Sequence, residues 1–437
     1  MPRKMKESGV EWLGQIPEGW GVCRCKFILC RNDGGIWGND PVGEDGEFVL
    51  RSTEQTIDGN WEVIAPAKRD LSVIPNKEYF LIRAGDLLVT KSSGSDLHIG
   101  KTTLADEAIE KGHYYYSNFL QRLRFDGSTA PRFVWYLMNS CIARQQFVYR
   151  QNSTSGIGNI NAADIDELKF PRPPLPEQQR IAAFLDERCA KIDGMIAEAK
   201  ISIEDYKKWK QSLIEKVTLK GVELAPLAAV NSDWVEQVPA HWRFTQIRYL
   251  FELRDERNEK PLSEVNLISL YTDKGVVQHC DLEKTTGNKA ATADGYKLVY
   301  EDDIVVNIIL CWMGAIGRSA YAGVTSPAYD VYRAKRKGEV LPRYYHYLFR
   351  TTAFSGACYR RGRGIMMMRW RTYSDEFRSI KVPVPSYAEQ EQIANYLDEK
   401  CAAIDKLVGE KEALIADLEA YKKSLIFETI TGKREVA

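Results

Sequence analysis

The chain repeats itself at long range. The segment Glu177 to Asp193 (EQQRIAAFLDERCAKID) returns 212 residues later as Glu389 to Asp405 (EQEQIANYLDEKCAAID), with 11 of 17 positions identical. Solenoid repeats have periods of roughly 20 to 50 residues. Because 212 residues is nearly half of the 437 in the chain, this repeat indicates the duplication of a whole architecture. The chain consists of two copies of one unit.

Weaker similarities extend the duplication to the flanks. An aromatic and proline motif, W-x2-Q-x-P-x2-W, begins at Trp12 and again at Trp234. The pattern P-R-aromatic-x2-Y-L begins at Pro131 and at Pro342, and GDLLV from Gly85 parallels a DDIVV segment. Between these motifs the copies hardly agree. We therefore expect a common scaffold that carries two different surfaces.

Composition limits the class of protein. With 44% hydrophobic residues the chain can bury real cores, so we expect a soluble globular protein. The N-terminus has no apolar signal region, and the most apolar stretch, 304–317, is too short to span a membrane. Nine cysteines without a C-x-x-C pair predict reduced thiols, a cytoplasmic location and no bound metal.

Local charge is more informative than the net charge of zero. Residues 341–374 contain no Asp, Glu or Lys but seven arginines, and residues 127–163 also lack acids. Arginine can clamp guanine or phosphate, and Asn and Gln pair with adenine. The alternative is a solvated face whose counter-charges come from elsewhere in the fold. The matched positions favour DNA contacts by Lys91, Arg150, Gln151, Asn152, Arg360, Arg361, Arg363, Arg369 and Arg371.

Periodicity places these windows on secondary structure. Short β-type segments at 46–51, 79–82 and 87–90 predict a sheet. Apolar spacing predicts one amphipathic helix over 132–149 and its counterpart over 343–359. The duplicated segments themselves predict two long helices that pair in antiparallel fashion as a spacer. Their apolar seam consists of Ile192, Ile196, Ile203, Tyr206, Leu213, Ile404, Val408, Ile415, Leu418 and Leu425.

These motifs together support a family resemblance. The pattern P-L-P-E-Q-x2-I-A-x2-L-D from Pro174, followed by a long charged helix that ends in S-L-I, occurs twice behind W-x4-P-x2-W domains. The chain resembles the specificity (S) subunit of type I restriction-modification systems, the HsdS family. The second copy departs modestly, because Ser386, Tyr387 and Ala388 precede its glutamate, so the start of that helix is expected to differ.

The resemblance implies an α+β protein with an internal pseudo-two-fold repeat. Its segments would be a mixed α/β target recognition domain at 1–173, a helical spacer at 174–221, a second recognition domain at 222–382 and a second spacer at 383–437. Each domain would bind one half of a split site in double-stranded DNA. Two methyltransferase (M) and two restriction (R) subunits would be the partners. S-adenosylmethionine, ATP and Mg would be bound by those partners, and none by this subunit.

The sequence contains no recognisable catalytic motif. There is no methyltransferase Asn/Asp-Pro-Pro-aromatic motif, and the five histidines lack metal or triad spacing. The segment Gly94–Thr102 resembles a phosphate-binding loop but has five residues between its glycines where four are required. We therefore expect a non-catalytic DNA-recognition subunit. The alternatives are a stand-alone duplicated DNA-binding regulator and a coiled-coil scaffold without nucleic acid.

Overall fold

The computed structural model describes residues 3–43, 45–93, 98–150, 152–154, 157–279, 292–364 and 370–436, with the side chains of 93, 150, 152–154, 157 and 158 left aside. The chain divides into two compact units. The first unit comprises Met1–Glu198 and Ala413–Ala437, and the second comprises Ala199–Glu412. Each unit therefore contains one predicted recognition domain and a part of both duplicated helical segments.

The first unit is built on a four-stranded sheet in which Leu29–Gly34, Leu120–Phe125, Leu87–Thr90 and Thr102–Leu104 lie side by side in that order, together with small sheets of two and three strands. Among the described strands of this unit, the pairing of Tyr115–Tyr116 with Glu47–Leu50 is parallel and the other pairings are antiparallel. Its strands are β1 (Met5–Glu7), β2 (Gln15–Pro17), β3 (Gly21–Arg24), β4 (Leu29–Gly34), β5 (Glu47–Leu50), β6 (Ala67–Arg69), β7 (Leu87–Thr90), β8 (Ser92–Ser93), β9 (Thr102–Leu104), β10 (Tyr115–Tyr116), β11 (Leu120–Phe125), β12 (Asn152–Thr154), β13 (Ile157–Asn159) and β14 (Lys169–Arg172).

The second unit contains the equivalent four-stranded sheet, in which Phe251–Arg254, Tyr329–Ala334, Ile304–Asn307 and Ile316–Arg318 lie side by side in that order. Its strands are β15 (Leu227–Ala229), β16 (Gln237–Pro239), β17 (Arg243–Gln246), β18 (Phe251–Arg254), β19 (Ile268–Tyr271), β20 (Gly275–Gln278), β21 (Lys297–Val299), β22 (Ile304–Asn307), β23 (Ile316–Arg318), β24 (Gly323–Thr325), β25 (Tyr329–Ala334) and β26 (Lys381–Val384). The turns before β7 and β22 both use a left-handed residue, Gly85 (φ 89°) and Asp302 (φ 69°). The internal duplication predicted from the sequence is thus present in the backbone.

The prediction of one amphipathic helix over 132–149 is wrong. The segment forms two helices, and so does its counterpart in the second copy. Ser140 ends the first helix, because its hydroxyl donates to the carbonyl of Leu137 and accepts from the N–H of Ile142. Thr351 caps its helix in the same way. The helices are α1 (Glu107–Lys111), α2 (Pro131–Met138), α3 (Cys141–Arg150), α4 (Ala162–Asp166), α5 (Leu175–Lys220), α6 (Ile247–Leu250), α7 (Pro342–Leu348), α8 (Thr352–Arg361), α9 (Ser374–Ser379) and α10 (Tyr387–Ile430).

The predicted strands at 46–51 and 87–90 correspond to β5 and β7, but the one at 79–82 is wrong. Residues Lys77–Phe80 form a 3-10 turn that starts behind the left-handed Asn76. The carbonyls of Tyr79 and Leu81 accept hydrogen bonds from the buried guanidinium of Arg122, at 3.0 and 3.1 Å. These carbonyls are therefore used by a side chain instead of a strand ladder.

The helices α5 and α10 contain 46 and 44 residues, so each is about 65 to 70 Å long. They begin differently, as expected from the sequence. Ser386 forms a capping box with Glu389, whereas α5 starts behind Pro174 without a side-chain cap of this kind. Four other 3-10 turns, Cys25–Phe27, Ser52–Glu54, Leu262–Glu264 and Cys311–Met313, lie in the described connections.

In each unit the two helical segments run antiparallel and share the core with the recognition domain. In the first unit, Gly432 adjoins Trp20, which bonds Glu177, while Lys422 pairs with Asp193 further along α5. In the second unit, Gln392 bonds Glu223 and Lys210 pairs with Asp405. The core of the second unit joins Val217, Trp242, Tyr344, Phe349 and Leu397. Burial of such side chains contributes about 1.5–3 kcal/mol each.

Candidate nucleic-acid interface

In the first unit, a small three-stranded sheet brings together the backbone of Lys91, Arg150 and Asn152, three of the residues predicted to contact DNA. Its order is β12-β13-β8, so the strand that begins at Asn152 pairs with β13, and β13 pairs with the strand that follows Lys91. Lys91 is half-buried, and burial lowers the pKa of its ammonium group. Arg150 is the last residue of α3, directly before this sheet. Its side chain, the side chain of Asn152 and all of Gln151 lie outside the described residues.

In the second unit, two of the predicted arginines are ion-paired at the end of α8. The guanidinium of Arg361 forms two hydrogen bonds to the carboxylate of Asp233, at 2.9 and 3.0 Å. Nε of Arg360 lies 3.5 Å from the same carboxylate. Burial acts to raise the pKa of Asp233, but the hydrogen bonds and charges of the arginines outweigh it and lower that pKa.

Arg363 and Arg371 form a β-bridge directly after α8. The N–H of each donates to the carbonyl of the other, at 2.9 and 3.0 Å. Arg363 also pairs with Glu376, whereas the side chain of Arg371 is exposed and has no ion pair among the described residues. Arg369 lies outside the described residues. The bridge takes the place that the hairpin of β12 and β13 has in the first unit.

The acid-free windows therefore receive counter-charges from other parts of the fold. Asp233 precedes its window by more than a hundred residues, and Glu376 follows it closely. Counter-charges of this kind agree with the solvated-face alternative, and DNA contact by Arg360, Arg361 and Arg363 stays a prediction. These pairs are partly exposed, and exposed ion pairs contribute roughly 0–1 kcal/mol to stability. An arginine in such a pair can therefore bind a phosphate in place of its carboxylate at a small cost in free energy.

The other arginines of the windows have structural roles. Arg132 pairs with Asp186 of α5 at 2.7 Å, and Arg343 pairs with Asp398 of α10 at 2.6 Å. The neighbouring hydroxyls of Tyr136 and Tyr347 donate to the same two carboxylates. This role was not predicted from the sequence, although the repeated P-R-aromatic-x2-Y-L motif contained the signal. These contacts fasten each recognition domain to a long helix.

A second pair of contacts fastens the start of each long helix. The indole of Trp20 donates to Glu177, and that of Trp242 donates to Glu389, both at 2.9 Å. Burial raises the pKa of Glu389, but the hydrogen bonds from Ser386, His241 and Trp242 bring it down to about 2. Beside these carboxylates, buried Gln178 and Gln390 accept from the backbone of the recognition domain, at 2.9 and 2.8 Å.

The predicted seam residues face the interior of their units to different extents. Ile192, Ile196, Ile203, Ile404 and Leu425 are buried. Half-buried positions complete the set: Tyr206, Leu213, Val408, Ile415 and Leu418. Two equivalent ion pairs flank the seam, Lys422 to Asp193 and Lys210 to Asp405, both at 2.6 Å, and each pair lies within one unit.

The segment that resembles a phosphate-binding loop is used structurally. The ammonium group of Lys101 is buried and donates to the carbonyls of Ser52 and Gln55, at 2.8 and 2.6 Å. Burial lowers its pKa. Gly94–Leu97 lie outside the described residues. Elsewhere in the described chain there is no group of three His, Cys, Asp or Glu side chains suited to a metal ion. No described helix is long and apolar enough to cross a membrane.

Two like domains, each fastened to the same pair of helices and each carrying a different loop within an acid-free window, have the architecture of a bipartite recognition protein. A family profile described as type I restriction modification DNA specificity domain matches residues 45–204 and 239–415. The chain belongs to this family and is a sequence-specific DNA-recognition subunit without a catalytic role of its own. Its fold class and internal repeat agree with the expectations from the sequence.

Known proteins resemble the chain along nearly its whole length. The type I restriction enzyme EcoKI specificity subunit of Escherichia coli is 21% identical over 448 residues, which covers 96% of this chain and 90% of that protein. A chain solved in work on complex assembly of the type I R-M system has a TM-score of 0.72 at 15% identity, covering 96% and 99%. The HsdS subunit of Thermoanaerobacter tengcongensis has a TM-score of 0.58 at 15% identity, covering 98% and 100%. These structures share the fold.

Proposed function

We propose that each recognition domain binds one half of a split DNA sequence and that α5 and α10 set the distance between the half-sites. One observation supports this proposal most directly. Equivalent positions of the two long helices bind two recognition domains whose loops differ. Arg132 and Arg343 make the same contact to the helices, yet the loops beyond them differ in almost every residue. A scaffold kept constant under variable loops is suited to two different DNA sequences.

The proposed partners follow from the family. Two M subunits dock on the helical scaffold, and two R subunits join the assembled complex. We propose that the complex methylates adenine with S-adenosylmethionine and cleaves unmethylated DNA with ATP and Mg, in the cytoplasm. This chain contributes recognition and binds none of these cofactors. Exposed faces of α5 and α10 are available for docking, because Met195, Trp209, Leu407 and Tyr421 are exposed apolar residues at matching positions of the repeat.

Mapping of methylated adenines tests the proposal. The chain is expressed with its M subunit in a host without other adenine methylation, and methylated positions are located by single-molecule sequencing. We expect one asymmetric motif with two specific parts, a non-specific gap and one methylated adenine on each strand. A continuous palindromic motif would contradict the two-domain assignment, as would methylation without sequence preference.

The two alternatives predict different binding behaviour. A coiled-coil scaffold without nucleic acid predicts no salt-dependent DNA binding, whereas phosphate contacts make log K fall linearly with log salt. A stand-alone regulator predicts full specificity without the M subunit. Membership of the specificity family disfavours both alternatives.

A further inference from the structure

The loop after β22 is apolar where the equivalent loop of the first unit is polar. The carbonyl of Lys91 accepts from Ile160 at 2.8 Å, and the carbonyl of Ile308 accepts from Thr372 at 2.9 Å. Each acceptor directly follows a strand, β7 or β22, so Ile308 occupies the place of Lys91. From these positions the first copy continues with Ser92 and Ser93, and the second with the segment I-L-C-W-M-G. The two copies thus present different chemistry at one place of the fold.

The apolar loop is held in a fixed conformation. The side chain of Asn307 accepts from the N–H of Ile309 at 3.0 Å, and the indole of Trp312 donates to the carbonyl of Ile309 at 2.9 Å. A 3-10 turn, Cys311–Met313, follows and ends at the left-handed Gly314 (φ 88°). On this turn the side chain of Met313 remains 52% exposed. An exposed apolar side chain on a rigid loop loses little conformational freedom when a ligand covers it.

Aromatic side chains connect this loop to the arginine bridge. The ring of Trp312 lies 5.6 Å from that of Tyr359, which stacks on Trp370 at 5.2 Å. The indole of Trp370 covers Gly362 so closely that an added Cβ would lie 2.1 Å from Nε1. Tyr359 is 42% exposed. Trp312, Tyr359 and Trp370 are thus linked by ring contacts, and the exposed Met313 directly follows Trp312 on the turn. These four residues, next to the bridge between Arg363 and Arg371, are called the apolar patch.

An unpaired cation lies beside the patch. Asp233 and Glu376 pair with Arg360, Arg361 and Arg363, whereas Arg371 is exposed without an ion pair among the described residues. A ligand for this patch must offer an apolar group close to negative charge. In the major groove of DNA the only apolar group on a base edge that meets this description is the 5-methyl group of thymine. A membrane or an apolar protein surface does not require the flanking guanidinium groups.

We propose that the second recognition domain recognises a thymine of its half-site through this methyl group, with Met313 and the rings of Trp312 and Tyr359 as the apolar contact. The inference rests on the proposed function and adds the chemical class of one recognised base. The first domain, with Lys91 and Ser92 at the equivalent place, uses hydrogen bonds there instead. The two half-sites are thus recognised by different chemistry at equivalent loops.

Deoxyuridine substitution tests the proposal, because it removes only the methyl group. The full chain is assembled with its M subunit, and each thymine of the second half-site is replaced in turn by deoxyuridine. At one position we expect binding to weaken roughly fourfold, the effect of one buried methyl-sized group. Met313→Ala should lower affinity for the thymine site and abolish the difference between the two bases at that position. Leu224→Ala, at an exposed apolar position outside the patch, is the matched control.

Several outcomes overturn the inference. They are a second half-site without thymine on either strand, equal affinities for all deoxyuridine sites, and an undiminished thymine preference in Met313→Ala. Loss of M-subunit assembly in that variant, with DNA discrimination unchanged, would assign the patch to a protein partner. Failure of the proposed function differs from all of these, because the unmodified complex would then show no preference for any split sequence.

Discussion

Arg371 and Arg361 illustrate how the surroundings of a residue decide what its charge can do. Arg371 is exposed and its guanidinium is unpaired among the described residues, whereas Arg361 holds Asp233. We predict that Arg371→Ala weakens specific binding by about 1–3 kcal/mol if it contacts a base, or lowers the salt slope by about one if it contacts a phosphate. Fluorescence anisotropy titrations of labelled DNA over a series of salt concentrations measure both quantities.

The pair of Arg360 and Arg361 gives a related prediction. If both arginines exchange Asp233 for DNA on binding, their replacement by alanine should weaken binding and lower the salt slope, with M-subunit assembly intact. Asp233→Asn should act in the opposite direction, because it removes a competitor for the two guanidinium groups. Unchanged affinity in the folded Asp233→Asn protein would show that the arginines only neutralise this carboxylate.

Glu389 provides a pH-dependent contribution to stability. Its folded-state pKa is about 2, against an ordinary value of 4.5. A depressed pKa means that the contribution is present above the ordinary value and is lost as the pH falls towards 2. We predict that Glu389→Gln lowers the free energy of unfolding at pH 6 and that the difference from wild type shrinks between pH 4.5 and 3. Denaturant unfolding at each pH measures it, with the exposed Glu391→Gln as control. A difference that grows on acidification would contradict this account.

At the scale of elements, the sequence predicted periodicity better than boundaries. The apolar residues of 132–149 follow one helical period throughout, because the buried side chains of α2 and α3 pack into the same core. The break depends on the hydroxyl of Ser140 bonding backbone groups on both sides, and a single serine is common within helices. The acid-free windows are evident in the sequence, but the carboxylates that pair with their arginines are not. Asp233 reaches Arg361 only through the fold, so no local pattern contained that pair.

The two long helices give a prediction about distance. Insertion of seven residues in α5 after Ile203, together with seven at the matching position of α10, preserves the phase of the apolar seam. It adds about 10.5 Å, which corresponds to roughly three base pairs. We expect the methylated motif to keep both half-sites and to gain a gap about three base pairs longer, as measured by methylation mapping. An unchanged gap, or altered half-sites, would show that the helices do not set the spacing.

At the scale of the whole molecule, the duplication was evident from sequence, but the recognised bases were not. Each unit has its own core, and the recognition domain contributes to it together with segments of both long helices. The contacts to the helices use the same residue types in both copies, whereas the loops share almost none. Base recognition depends on loop geometry and on the deformability of the DNA, neither of which follows from a side-chain inventory. The scaffold is therefore predictable and the specificity is not.

This division predicts that recognition domains can be exchanged. A hybrid that joins this chain through Pro176 to the helices and second domain of a relative should methylate a site with this chain's first half and the relative's second half. The relative must provide the residues that fasten the first domain, namely Glu177, Gln178 and Asp186 or their equivalents. With these contacts preserved, the two domains share few partners, and effects at sites without shared partners are nearly additive.

Methylation mapping of the hybrid measures the outcome, and a hybrid with alanine at the position of Asp186 is the matched control. The control removes the acceptor of Arg132 and Tyr136, so we expect weaker methylation at the same hybrid site and no change in its sequence. If the intact hybrid assembles with its M subunits yet methylates a motif unrelated to either parent, the domains recognise DNA cooperatively and are not independent modules. A motif with one half from each parent would show that the loops determine the specificity and that the helices are a common scaffold.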